Sequence, residues 1–117
     1  MERFKDITMQ AIIVGKDLLL IVSGGDRHIG ATSTAYWEQG QVCVETSVVP
    51  GHKEHVLSEE LALRAAAKLR QTVTLVMGIH YDQLQRDDID RICEHVSSMM
   101  DDYLSQNDGF KFKIDCN

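Results

Sequence analysis

Glu54-His55-Val56-Leu57-Ser58-Glu59-Glu60-Leu61-Ala62-Leu63-Arg64-Ala65-Ala66-Ala67-Lys68-Leu69-Arg70, followed almost at once by Thr72-Val73-Thr74-Leu75-Val76-Met77, is the stretch that decides the fold. Leu57, Leu61, Ala65 and Leu69 recur every fourth residue, joined by Ala62 and Ala66. That spacing lays one apolar stripe along a helix, and most residues between are strong helix formers. It predicts a helix over 54–70. The six residues from Thr72 are apolar and β-branched, which predicts a strand over 72–77. A helix with one apolar stripe must bury it against another element, and a sheet containing the next strand is the simplest partner.

Upstream, the period is that of strands. Phe4–Val14 reads as a first strand, and Leu18–Val22, apolar throughout, as a central strand buried on both faces. Ile29–Trp37 and Gln41–Val49 are the third and fourth. Gly15-Lys16-Asp17 and Glu38-Gln39-Gly40 are the turns between them. Downstream, Ile89, Ile92, Cys93, Val96, Met100 and Tyr103 predict a helix from Asp87 to about Leu104. Asp87, Asp88 and Asp90 crowd its first turn, where negative charge suits the helix dipole. The tail over 107–117 alternates Phe110, Phe112 and Ile114 and is either an edge strand or a loose end. The order is β-β-β-β-α-β-α. It predicts a two-layer α+β sandwich, a sheet of about five strands with its first four paired as a meander and two helices on one face. The uncovered face predicts a homodimer.

The chain has 117 residues, 44% of them hydrophobic, which suits one core and one domain over 1–117. Its net charge of −6 argues against nucleic acid and anionic membranes as partners, since both require a basic surface. A local cationic pocket stays compatible with it. Cys43, Cys93 and Cys116 are odd in number and far apart, as expected of reduced thiols in a cytoplasmic protein. The polar start MERFKDITMQ does not resemble a signal peptide, and the apolar runs are too short to span a bilayer.

Three short motifs carry the candidate chemistry. Ser23-Gly24-Gly25-Asp26-Arg27-His28-Ile29-Gly30 lies between two strands. Its glycines permit close backbone approach, and Arg27 and His28 offer donors to a phosphate or carboxylate, though a plain glycine-rich hairpin reads equally well. Pro50-Gly51-His52-Lys53-Glu54 ends a strand and opens a helix, whose free amides favour anions; a simple connector is the other reading. Gly78-Ile79-His80-Tyr81-Asp82 follows the fifth strand, where α/β ligand sites tend to lie, although a lone histidine there is more often structural. Arg27, Lys53 and the Gly51–Glu54 amides are the physical candidates for a phosphate, and Trp37 or Tyr81 for stacking on a flat ring. His28, His52 and His80 could meet at a metal with Asp26, but no spacing demands it and no metal is assigned. His55 and His95 read as solvated surface residues. No residue is assigned as catalytic.

Taken in order, GGDRHIGA, PGHKE and GIHYDQLQRDDIDRI resemble the prenylated-flavin chaperone family, small proteins related to an accessory chain of gallate decarboxylase. The resemblance runs from about Leu18 to Leu104. It implies a non-catalytic accessory protein that binds prenylated FMN, or FMN itself. Such a protein takes the cofactor from a flavin prenyltransferase and assists its delivery to a UbiD-type aromatic acid decarboxylase. It also implies a fold similar to small proteasome-assembly chaperones, commonly dimeric. Carried residue by residue, it points to Gly24, Gly25, Asp26, His28 and Gly30, to Pro50, Gly51, His52, Lys53 and Glu54, and to Gly78, His80 and Asp82. Two other readings stay open. One is a decarboxylase-associated enzyme component with His28 or His80 as general base and Asp26 as its orienting partner. The other is a ligand-free assembly protein, whose three motifs would lie scattered in space.

Overall fold

Two antiparallel hairpins and one strand inserted between them make the sheet. In a computed structural model describing the backbone of residues 2–52 and 54–116 and the side chains of 3–52 and 54–106, the strands are β1 Thr8–Val14, β2 Asp17–Gly25, β3 Ala31–Glu38, β4 Gln41–Val48 and β5 Val73–His80. The helices are α1 His55–Leu69 and α2 Arg86–Cys116, and a short 3-10 turn covers Glu2–Phe4. The result is the expected α+β order with five strands and two helices.

The sheet order is β1-β2-β5-β3-β4, so the first four strands do not form a meander. Each hairpin, β1–β2 and β3–β4, leaves one inner edge of unpaired backbone groups. The chain returns through α1 and places β5 in that gap, parallel to β2 and antiparallel to β3. The inserted strand satisfies both edges at once. Gln39 and Gly40 both have positive φ, the backbone that a two-residue hairpin loop demands between β3 and β4.

α1 lies over β3, β4 and β5, and α2 packs on α1. Leu61, Ala62, Ala65 and Ala66 are fully buried, as the four-residue stripe requires. They meet Leu20, Val22, Val73, Leu75 and Met77 from the sheet and Val96 and Met100 from α2. β2 is not buried on both faces as its uniform apolarity suggests. Leu18, Leu20 and Val22 are buried beneath the helices, while Leu19 and Ile21 on the opposite face are half-buried. Both helices lie on one side, so the other face has only its own side chains for cover.

Several boundaries also differ: β2 runs on from Val22 to Gly25, and β3 begins at Ala31 and not at Ile29. The expected first strand loses Phe4, which sits in the 3-10 turn and is buried in the core. β5 continues beyond Met77 to His80 because β2 runs alongside it as far as Gly25. α2 continues to Cys116, in place of the edge strand or loose end expected over 107–117. Extending an existing helix avoids the cost of a new nucleus.

Candidate functional site

The site arises where the chain passes from β2 to β3 over the end of β5. The Asp26 amide donates to the His80 carbonyl at 2.9 Å, and the Gly30 amide to the Met77 carbonyl at 2.9 Å. Between these anchors the backbone arches directly over Gly78. A Cβ on Gly78 would meet the His28 carbonyl oxygen at 1.6 Å, so no other residue fits without moving the arch. The register pairs Ser23 with Gly78, Gly24 with Ile79 and Gly25 with His80. The first and third motifs are therefore neighbouring strand ends.

The second motif joins them from α1. Glu54 is the residue before the first helical turn, and its carboxylate points back under the arch. Its Oε2 accepts a hydrogen bond from the Ile79 amide at 3.1 Å and lies 3.0 Å from His28 Nε2. Its Oε1 lies 3.7 Å from His52 Nδ1. Gly30 makes room for it, since a Cβ there would come 2.6 Å from Glu54 Oε1. The His28 and His52 rings are 4.6 Å apart between centroids, and His80 stands 6.5 Å from His28. His28 Nδ1 is 3.0 Å from the Asp26 carbonyl oxygen. A carbonyl only accepts, so Nδ1 carries the proton. The opposite nitrogen, Nε2, is shut from solvent and, despite its closeness to Glu54, is out of line for a hydrogen bond.

A pocket of about 390 Å³ opens beside this cluster, between α1, α2 and the end of β5. Leu57, Met77, Ile79, Leu84, Ile92 and Cys93 form its apolar wall, and Gly51, His52, Glu54, His80 and Tyr81 its polar rim. An apolar cavity of this size with a few convergent polar groups is the usual form of a small-molecule site.

Comparison with known proteins settles the family. A family model described as the prenylated flavin chaperone LpdD-like domain matches residues 2–108. The chain belongs to the LpdD-like family. Protein LpdD of Lactiplantibacillus plantarum is 35% identical over 89 residues, covering 69% of this chain. The match spans 63% of that relative's length.

In this LpdD-like chain the residues expected at the site have different places. His28, His52, Glu54 and His80 come together at the cluster and the pocket rim. Gly24, Gly25, Gly30 and Gly78 instead make room for neighbouring chain. Gly25, with positive φ, faces the His80 carbonyl, and a Cβ on Gly24 would strike Ile7. Gly51 is exposed, with positive φ in the turn before α1, and lines the pocket. Lys53 lies outside the described residues. Asp26 touches His28 through its main-chain carbonyl, so its carboxylate is not the partner that orients the ring.

Arg27 and Trp37 are occupied elsewhere. Arg27 donates to the Asp6 carbonyl at 2.6 Å and to Ser23 Oγ at 2.9 Å, tying the segment before β1 to β2. Trp37 Nε1 donates to the Ala66 carbonyl at 2.9 Å near the C-terminal end of α1, with the Arg70 guanidinium over its ring. It lines a different cavity with Lys16 and Gln71, so it cannot stack on a ring in this pocket. Tyr81 lines the pocket and packs edge-on against Phe4. His55, expected as a solvated residue, has its Nδ1 buried with no partner among the described residues.

Sequence reasoning missed Asp6. Its carboxylate accepts from the Gly25 amide at 2.9 Å and from the Tyr81 hydroxyl. Those bonds hold the Asp6 carboxyl below its usual range. Burial, then the bond to Asp6, pushes the Tyr81 phenol up to about 12. The pocket's far wall from α2 was missed as well. Ile92 and Cys93 were legible only as helix stripe, and Ile89, read as part of that stripe, is half exposed at the pocket mouth.

Proposed function

We propose that this chain holds prenylated FMN, or FMN itself, in the pocket between α1, α2 and β5. It carries the cofactor without using it, from a flavin prenyltransferase to a UbiD-type aromatic acid decarboxylase. The observation that carries this reading is a single pocket in an LpdD-like chain that joins an apolar wall to a histidine-bearing rim, lined by the second and third motifs, with His28 of the first motif set against the rim residues His52 and Glu54. The wall suits the flavin ring system and its prenyl-derived addition. The rim at Gly51, His52 and His80, with Lys53 next in sequence to His52, takes the phosphate. Tyr81 is the aromatic placed to pack on the ring. The pocket is open to solvent, as handover requires. The meeting of the three motifs speaks against a ligand-free assembly protein.

The same reading makes the protein a cytoplasmic homodimer. Ile12 on β1 pairs with Leu19, and with Ile21 and Val76 these form an apolar strip on the uncovered sheet face. No helix among the described residues is long and apolar enough to cross a membrane.

The test is direct. Purified protein is titrated into FMN and, without oxygen, into prenylated FMN, and flavin fluorescence and calorimetric heat are followed. Saturable binding is expected, with transfer activating an apo-decarboxylase. Absence of binding to either flavin ends the proposal.

A further inference from the structure

We infer that His28, His52 and Glu54 form a binding site for a borderline divalent cation of the Zn²⁺ class. The site stands on its own residues and does not depend on flavin binding. The Asp26 carbonyl holds a proton on His28 Nδ1, so in the neutral ring the lone pair is on Nε2. Nε2 lies 3.0 Å from a Glu54 carboxylate oxygen, with no hydrogen bond between them and no exposure to solvent. A nitrogen and a carboxylate oxygen held that close suit a shared cation, and a metal ion beside them would meet both. His52 Nδ1 lies 3.7 Å from the other oxygen of the same carboxylate.

The three donor atoms lie within 4.8 Å of one another. A tetrahedral zinc ion holds nitrogen and oxygen ligands at about 2.0–2.1 Å, which spaces them about 3.4 Å apart, so small rotations close the set. Two imidazoles and one carboxylate suit zinc, cobalt or nickel better than magnesium or calcium, which prefer all-oxygen shells. The outer partners that such a site needs are already built. The Asp26 carbonyl orients His28, and the Ile79 amide binds Glu54 Oε2. Three protein ligands leave a fourth position for water or an oxyanion. His52 and Glu54 also line the pocket, which places that position at its rim.

The test uses the full chain with any affinity tag removed and chelator dialysed away. Zn²⁺ is titrated by calorimetry, and Co²⁺ by its visible d–d absorption, which reports coordination number. One ion per chain is expected, with the intense absorption of a four-coordinate nitrogen–oxygen set. Glu54→Gln and His52→Ala should each weaken binding by more than about 100-fold, beyond the loss from an outer partner. His95→Ala, on α2, should leave it unchanged. Glu54→Gln keeps an acceptor for the Ile79 amide, so it reports on the site even if His28→Ala fails to fold. Absence of Zn²⁺ and Co²⁺ binding, or binding that survives both His52→Ala and Glu54→Gln, overturns the inference.

Discussion

The Gly78 Cα lies so close under the His28 carbonyl that a Cβ on Gly78 would come within 1.6 Å of its oxygen. Gly78→Ala must therefore displace the arch or the central strand, both held by backbone hydrogen bonds. Overpacking costs typically about 1–3 kcal/mol, and a backbone clash belongs at or above the upper end. Urea unfolding should show that loss. Flavin binding should fall too, because His28 moves with the arch; a variant of unchanged stability would contradict the packing.

Asp6 and Tyr81 make the fold sensitive to pH at both extremes. The folded Asp6 carboxyl sits below its ordinary 3.8, so its contribution is present above that value and lost as pH falls through the lower, folded one. Tyr81 sits at about 12 against an ordinary 10.0, so its contribution is complete below 10.0 and lost as pH rises through about 12. In Tyr81→Phe, Asp6 should titrate closer to 3.8 and acid unfolding should begin at higher pH. Ultraviolet titration of the three tyrosines should lose the component near 12. If that component persists in the variant, it belongs to another tyrosine.

Beneath α1, Ser33 Oγ lies 2.7 Å from Ser58 Oγ and 2.8 Å from Thr46 Oγ1, and Ser58 also donates to the His55 carbonyl at 3.1 Å. Both serines are fully buried. Ser33→Ala or Ser58→Ala should each cost about 1 kcal/mol, since each strips a partner from a buried hydroxyl. The double variant should cost less than the sum. Strict additivity in chemical denaturation would mean that the two hydroxyls do not interact.

Cys93 faces the pocket from α2, and burial raises its thiol pKa, so it stays a neutral wall residue at physiological pH. Cys93→Trp should fill the cavity and abolish flavin binding while the circular dichroism spectrum keeps its helical signal. Retained flavin affinity in a folded Cys93→Trp protein would place the ligand elsewhere.

Ile12 is 45% exposed at the edge of the uncovered face. A lysine there costs a dimer joined through that face the burial of one large apolar side chain, about 1.5–3 kcal/mol, and adds a charge to be desolvated. Ile12→Lys should shift sedimentation toward monomer at equal concentration. A wild-type protein that sediments as a monomer at micromolar concentration removes the dimer from the proposal.

By itself, the sequence determined the elements, their order and the α+β class, because hydrophobic period is local. Leu57, Leu61, Ala65 and Leu69 declare their face within one helix, and Gln39-Gly40 declares its turn within two residues. The three motifs were legible as types able to meet a ligand. Tertiary structure alone decided that β5 enters between the two hairpins, since strand pairing depends on edges left open far away in the chain. That one insertion turned Gly24, Gly25 and Gly78 from loop residues into close-packed strand ends. It carried His28 over β5 to Glu54, 26 positions along the chain, and left Arg27 and Trp37 to hold other parts of the fold. No local pattern records such a meeting, because its cause is the contact of two backbones at Gly78 and not any spacing along one.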